Sequence, residues 1–374
     1  MPAVNRERLL ATFVDLLGVN ATSRKEKPMA EMVLAAMHEL GATVHLDDAG
    51  VQIGGEVGNL IADFPGTVDA PPLLFCAHFD TVQPTEGLVL RQTGEKFTSD
   101  GTTILGADDR AGIAAILEML HTLRDSGMPH PPLQCVFTIA EEIGVMGSMV
   151  LDYSLITAPY GFVPDSSGPV GRIIVSAPAQ QHIDFVVHGK AAHAGMNPET
   201  GVSAITVAAK GIARMKLGRL DDETTANVGI ISGGHATNIV ADRVEIEAEA
   251  RSRNPQKLAD QVAHMRACLE EEAAAVGATV ECTLTDTFPA FTLAADSPTV
   301  RMATQAAETV GAPPVVMATG GGSDANFFNQ HGVQAAILST GYENPHGTNE
   351  SQDIAQLVTL AQWLVEIVAL GAQA

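Results

Sequence analysis

Positive charge is scarce in this chain: 21 Lys and Arg stand against 44 Asp and Glu over 374 residues, a formal net charge of −23. Nucleic acids and anionic membranes are held by Lys and Arg, so the balance argues against both as partners. Aromatic residues are few, at 4%, while 35 Gly sit beside abundant Ala and Val, a mix suited to closely packed α/β layers. No run approaches 18 uncharged apolar residues, so a membrane span is not expected. The first residues, MPAVNRERLLATFVDLL, lack a long apolar stretch and read as an amphipathic helix rather than a signal peptide. Cys76, Cys135, Cys268 and Cys282 are scattered without CxxC spacing. They read as buried thiols rather than disulfides or zinc ligands, which fits a cytoplasmic location. Internal repeats and low-complexity tracts are also missing, which weighs against solenoids and disordered binding proteins.

What the chain has instead is a set of apolar runs that each end in an acid or an imidazole. LQCVFTIA is followed by Glu141 and Glu142, LLFCAHFD ends on His78 and Asp80, YGFVPD on Asp165, and AAILSTGYENPH on His346. Asp108 and Asp109 form another acidic pair just before a helical pattern. Two adjacent ionised carboxylates repel one another unless something positive holds them, and a metal ion is the natural candidate. Residues two apart on a strand share a face, so His78 and Asp80 can point into one crevice. In open α/β sheets the crevice at the carboxyl ends of the strands is the usual binding site. Each acid alone is as well explained as a helix cap or a solvated loop mouth; together they suggest one site. Imidazoles with several carboxylates suit zinc, with manganese or cobalt as substitutes, and the surplus of carboxylates suggests two ions, one acid bridging them.

Periodicity places helices over 6–17, 28–40 and 109–124 and strands over 57–63, 73–77 and 133–140. Strand, helix and strand in alternation predict a mostly parallel or mixed sheet flanked by helices. The middle of the chain changes character. Strand patterns over 181–188, 225–231, 243–251 and 278–285, with helical patterns over 201–217 and 255–275, spell βαββαβ, the ferredoxin-like unit. We therefore expect a catalytic domain made of residues 1–176 and 291–374, with an α+β domain inserted at 177–290. Helices near 297–310 and 351–370 and strands at 314–317 and 334–339 complete the second part. His182, His188 and His235 read as ordinary polar positions of the inserted domain.

The segments AHFDTV, GADDRAG, TIAEEIGVMGS, the Asp of VPDSSG, AAHAG and PHGTNE, in that order, resemble the dinuclear zinc peptidases of the M20 group, most closely their tripeptide-aminopeptidase-like branch. The resemblance covers nearly the whole chain. It implies that His78 and Asp165 hold one zinc, Glu142 and His346 the other, and that Asp108 bridges them. Asp109 takes an adjacent non-ligand position. Asp80 is implied as the acid that orients His78, and Glu141 as the general base. In the inserted lid or dimerisation domain, His193 resembles the histidine that stabilises the tetrahedral intermediate, in several relatives across a dimer, and a homodimer through this domain is the implied assembly. Asn238 resembles an amide that binds substrate backbone, and Arg251 a guanidinium that binds substrate carboxylate, with a surface salt bridge as the competing reading. Main-chain N–H groups of Gly321 and Gly322 are further substrate contacts. Where the tripeptidases carry RGGTDG this chain has GGGSDA, so Gly320 stands in the arginine's place.

The implied function is hydrolysis of an amide bond in a small peptide by metal-activated water. An N-acyl amino acid deacylase or amidase shares the same chemistry, and a non-catalytic metal-binding or scaffold protein is the reading outside catalysis. A scaffold would have no use for Glu141 beside the ligand set.

Overall fold

The computed structural model describes residues 2–373, and the chain divides into two units, Met1–Ser176 with Thr292–Ala374, and Ala177–Phe291. At the centre of the larger unit, strands Leu133–Thr138, Leu73–His78, Tyr160–Ser166 and Gln334–Ser339 lie side by side and parallel. Parallel strands covered on both faces need near-continuous apolar sequence. LLFCAH and LQCVFT meet that need and are buried at every residue. Antiparallel strands flank them, Leu60–Phe64 and then Thr43–Leu46 on one side and Arg172–Ala177 on the other, where Val315–Ala318 adds a further parallel strand. The sheet is therefore mixed with a parallel centre, as expected. Thr43–Leu46 and Arg172–Ala177 were not legible in the pattern.

Register fixes which residues reach the same end. His78 lies opposite Thr138, and Phe75 opposite Phe162, so three residues further along both strands His78 and Asp165 come level. Helix Ala107–Ser126 packs on Leu73–His78 and Tyr160–Ser166, and is covered in turn by helices Arg6–Leu17 and Ile354–Gly371. Gly112 makes the approach possible, because a Cβ there would fall 2.4 Å from the Asp109 carboxylate and 2.5 Å from the Pro164 carbonyl.

Helix Ile354–Gly371 falls where a helical pattern near 351–370 was expected. Among the described residues it is one helix long and apolar enough to cross a membrane by length and composition, with Glu366 its one charged residue. Here it is a core helix: Leu360, Trp363, Leu364, Val365, Ile367 and Val368 are fully buried, and the Trp363 indole donates to the Ala303 carbonyl at 2.9 Å. A helix apolar on all sides is a buried one.

A second, small antiparallel sheet joins Tyr342–Glu343, Ser351–Asp353, Lys96–Thr98 and Arg91–Thr93. Its strands of two or three residues are too short to show a period. They carry the loop that holds His346 and Glu350.

Apart from the two-residue edge strand Gly218–Arg219, the smaller unit has the order βαββαβ. Its sheet runs Gly218–Arg219, Thr224–Gly233, Arg243–Ser252, Ala179–His188 and Thr279–Phe288, all antiparallel, with helices Ala204–Arg214 and Pro255–Ala274. This is the ferredoxin-like arrangement. Alternation in RVEIEAEARS buries Val244, Ile246, Ala248 and Ala250, which join Ile183, Phe185, Met265 and Leu269 in a core of the unit's own. Gln180 pairs with Phe288, so the unit's first and last strands begin and end side by side.

Cys76, Cys135 and Cys268 are buried free thiols and Cys282 is partly buried.

Candidate metal centre

The ends of the parallel strands bring five of the expected side chains together. His78 Nε2 lies 3.2 Å from Asp108 Oδ1 and 3.5 Å from Asp165 Oδ1. On the other side of Asp108, His346 Nε2 lies 3.4 Å from Asp108 Oδ2 and 3.0 Å from Glu142 Oε2. Two groups of donors, His78 with Asp108 and Asp165, and His346 with Asp108 and Glu142, thus share one carboxylate, and the ligand-capable atoms of each group lie within 4.8 Å of one another. Asp108 reaches this place because residues 108 and 109 depart from helical backbone at the start of Ala107–Ser126.

The electrostatics describe a pocket short of positive charge. Burial pushes the Glu142 and Asp165 carboxyls up, Asp165 to about 7, and the Glu141 and Asp109 carboxyls well up, with like charges nearby adding to the effect. Burial works the same way on Asp108, but the His346 and His78 contacts outweigh it and hold that carboxyl below its ordinary value. Burial disfavours charge on His78, yet contacts with Asp108, Asp165 and Asp80 win and raise it well above its usual range. Hydrogen bonds to Asp108 and Glu142 lift His346 to about 10. Protons on the imidazoles occupy the role a cation would fill. The donor set of two imidazoles and three carboxylates fits borderline cations, and Glu142 Oε1 is buried without a hydrogen-bond partner.

Asp80 makes wider contacts than its expected one with His78. The short contact of His78 Nδ1, at 2.9 Å, is with the Asp80 carbonyl oxygen, and the carboxylate oxygen is 3.5 Å away. An Nδ1–H donating to that carbonyl aims Nε2 at Asp108 and Asp165, and the Nε2 proton is the one a bound cation would displace. The fully buried Asp80 carboxylate instead accepts the main-chain N–H of Glu141 at 3.0 Å, that of Glu142 at 3.2 Å and the Ser23 hydroxyl at 2.6 Å. It orients the loop of the two glutamates as well as the imidazole.

Four consecutive main-chain N–H groups leave the sheet here, and each meets a side-chain oxygen. Ile139 donates to Asn59 Oδ1 at 3.1 Å, Ala140 to Glu26 Oε1 at 3.0 Å, and Glu141 and Glu142 to Asp80. The bridging acid is held in the same way, since the buried Glu350 carboxylate accepts from Gly106 at 2.6 Å and from Asp108 at 3.1 Å. Ser323 donates its hydroxyl to Asp165 Oδ2 at 3.1 Å. Buried Asp324 accepts from Thr138 at 2.6 Å, behind the ligand strands. Arg110, also buried, binds the carbonyls of Leu16, Gly106 and Val19, tying the chain before Asn20 to the start of the Asp108 helix. None of Glu26, Asn59, Glu350, Ser323 or Arg110 was singled out from sequence, because their partners are main-chain groups or side chains remote along the chain.

The backbone is least ordinary at the same place. Among the described residues, the non-glycine positions with positive φ are Arg24, Ala140, Val145, Asn344 and His346, all in segments that carry or adjoin the donors. Such conformations persist where the surroundings over-determine them, and they cluster at functional sites.

The Gly321 N–H donates to Thr319 Oγ1 at 3.2 Å. Gly322 lies next to it in the loop that ends at Ser323. In the smaller unit, His193 Nδ1 accepts the N–H groups of Gly195 and Met196 at 3.1 Å, which leaves Nε2 to carry the proton, and Asn238 stands close by, its carbonyl receiving the Ala194 N–H at 2.9 Å. The Arg251 guanidinium is engaged by Glu249 through two 3.0 Å bonds and sits 6.0 Å from the Phe288 ring centre. The salt-bridge reading of Arg251 is therefore the observed one. Strand pairing brings Asp184 and Glu247 beside His182 in a solvent-open polar cluster.

A mixed sheet with paired donor groups at its carboxyl end and a ferredoxin-like insert defines a metal-dependent hydrolase. The family model for Peptidase family M20/M25/M40 matches residues 74–370, and the chain belongs to this family. It is 40% identical to the aminopeptidase PepT of Bacillus cereus ATCC 10987, with a TM-score of 0.92 over 99% of this chain and 100% of the other. A tripeptidase of Staphylococcus aureus subsp. aureus Mu50 superposes with a TM-score of 0.96 at 39% identity, again over 99% and 100%. The Bacillus subtilis (strain 168) protein YqjE is 41% identical over 370 residues, 99% of this chain and all of the other. The chain is thus a peptidase or amidohydrolase of the M20 type, acting on peptide substrates through bound metal.

Proposed function

We propose that this chain is a two-zinc exopeptidase for small peptides. The observation that carries the reading is the shared carboxylate: Asp108 presents one oxygen to His78 and the other to His346, so one acid belongs to both donor groups. His78 and Asp165 would hold one cation, Glu142 and His346 the other, with Asp108 between, and manganese or cobalt could replace zinc. Cations held there supply Lewis acidity toward a carbonyl and lower the pKa of water. Glu141 takes the proton of the attacking water and passes it to the leaving amine. Its carboxylate is absent from both donor groups, while its own N–H is fixed by Asp80. His193, with its proton on Nε2, is suited to donate to the negative oxygen that develops on the carbonyl. Asn238 is a contact for substrate backbone. Arg251 would bind a substrate carboxylate through the guanidinium N–H groups that Glu249 does not engage. Residues 1–176 and 291–374 form the catalytic domain in this reading and 177–290 a lid, through which the chain pairs as a homodimer in the cytoplasm.

Gly320 favours a second reading. Among the described residues, none beyond its chain neighbours lies within 4 Å of the point where its Cβ would be, and glycine itself offers no guanidinium to anchor a peptide carboxylate. An N-acyl deacylase or amidase whose substrate lacks a free carboxylate would not need that anchor. Hydrolysis of free and N-acetylated di- and tripeptides of alanine, with metal analysis of the same preparation, decides between them. Two metal ions per chain and preference for a free amino end support the peptidase; preference for N-acetylated substrates supports the deacylase. One ion or none at saturation would overturn both.

A further inference from the structure

Glu26 lies in a loop that precedes helix Lys27–Leu40, far from the donors in sequence, and is fully buried. Its Oε1 accepts two main-chain N–H groups, that of Arg24 at 2.6 Å and that of Ala140 at 3.0 Å. Both donors are non-glycine residues in left-handed backbone, with φ of 69° and 50°. Side chains disfavour that region, and it is populated where specific contacts impose it. One carboxylate oxygen thus pins two left-handed residues from segments that the sequence keeps far apart.

Ala140 is the residue at which the chain turns out of strand Leu133–Thr138, and Glu141 and Glu142 follow directly. Their N–H groups are taken by the two oxygens of Asp80, and the turn closes through the Ala140 carbonyl, which accepts from Met146 at 3.0 Å. Asp80 fixes where the two glutamates sit. The backbone angle at Ala140 fixes which way they face, and Glu26 holds that angle. The other Glu26 oxygen, Oε2, is buried without a partner, and burial together with the Asp80 charge pushes the carboxyl up to about 7.

We propose that Glu26 is a positioning residue for the reaction: by holding Ala140 in left-handed backbone it aims the Glu141 carboxylate at the water while Glu142 stays on the metal. The inference rests on the reading of Glu141 as general base. A base misplaced by about 1 Å costs on the order of 10²-fold in rate, whereas of the metal donors only Glu142 follows Ala140, and its N–H is still held by Asp80.

The test compares Glu26→Ala, Glu26→Asp, Glu26→Gln and Glu141→Gln in the full chain loaded with zinc, on the fastest substrate of the alanine peptide panel. Gln keeps an oxygen that accepts both N–H groups; Asp keeps the charge but is one methylene too short to reach both. Expected are a fall in kcat of roughly 10- to 100-fold for Glu26→Asp and Glu26→Ala with KM within about 2-fold and two zinc ions retained, and kcat within about 3-fold of the parent for Glu26→Gln, the isosteric acceptor. If the Ala variant does not fold, the Asp and Gln pair carries the comparison alone. Parental kcat in Glu26→Asp, a Gln variant as impaired as Asp, or a loss of rate that tracks loss of zinc would each overturn the proposal. Full activity in Glu141→Gln would instead remove the reading beneath it, whatever the Glu26 variants do.

Discussion

Glu141 and Glu142 are the same residue type on neighbouring backbone, and their surroundings separate them. Glu142 Oε2 meets His346 at 3.0 Å, whereas the Glu141 carboxylate enters neither donor group. The division is made by groups that carry no chemistry of their own, Asp80 and Glu26. Glu26 also gives a test by pH. Its carboxyl has an ordinary value of 4.5 and is raised to about 7 in the fold, by burial first and the Asp80 charge second. Between those values the folded chain holds a proton that the unfolded chain has released, so the stability contributed by the neutral acid is present at the low end and lost as pH rises through about 7. Glu26→Gln removes this dependence. Thermal melts of the metal-free protein from pH 4.5 to 7.5 should show the variant gaining on its parent as pH increases; a constant difference would contradict the raised value. The candidate donors His78, Glu142, Asp165 and His346 were legible because each follows an apolar run, and Asp108 because it opens a helical pattern. Glu26 was not, since its meaning lies in an N–H group of Ala140, 114 residues away.

At the scale of elements, the helix that bears Asp108 is fixed from both ends and one side. Helix Arg6–Leu17 is tied to it by Arg8, whose guanidinium meets the buried Glu118 carboxylate at 2.7 and 2.8 Å. Glu118 also accepts from Asn5 and Thr122, so removing Arg8 does not strand it entirely. Arg8→Ala should cost roughly 2 kcal/mol, below the 3–5 kcal/mol of a pair buried on both sides, read by urea denaturation; an unchanged midpoint would contradict the pairing. Gly112 sets the distance between this helix and Tyr160–Ser166. Gly112→Ala must displace the Asp109 carboxylate or the Pro164 carbonyl. It should destabilise by about 1–3 kcal/mol and weaken metal retention on dialysis against chelator, because Asp165 follows Pro164. Parental retention would show that the strand can yield. Long helices and strands were readable from period, while the short strands that carry the His346 loop were not, being shorter than one period. Helix Ile354–Gly371 was readable as a helix, and its burial in the core accounts for its apolar composition.

For the whole molecule, two units with separate cores follow from a change of pattern along one chain. The smaller unit's outer strands pair Gln180 with Phe288, so its ends lie together, as an inserted domain requires. Residues 177–291 expressed alone should give a cooperative thermal transition by circular dichroism; a chain without one would show that its core depends on the rest. The βαββαβ order, the parallel centre and the donor set were all visible in sequence, because alternation and motif order are local signals. Substrate choice was not, since the loop at Gly320 says only what is missing there. The central claim is that Glu141 works as a base while remaining off the metal. Glu141→Gln, assayed for zinc content and turnover in one preparation, tests it most directly. Two zinc ions retained with kcat reduced roughly 10³-fold, within the range for loss of a general base, is the predicted result; two zinc ions with undiminished kcat would contradict it.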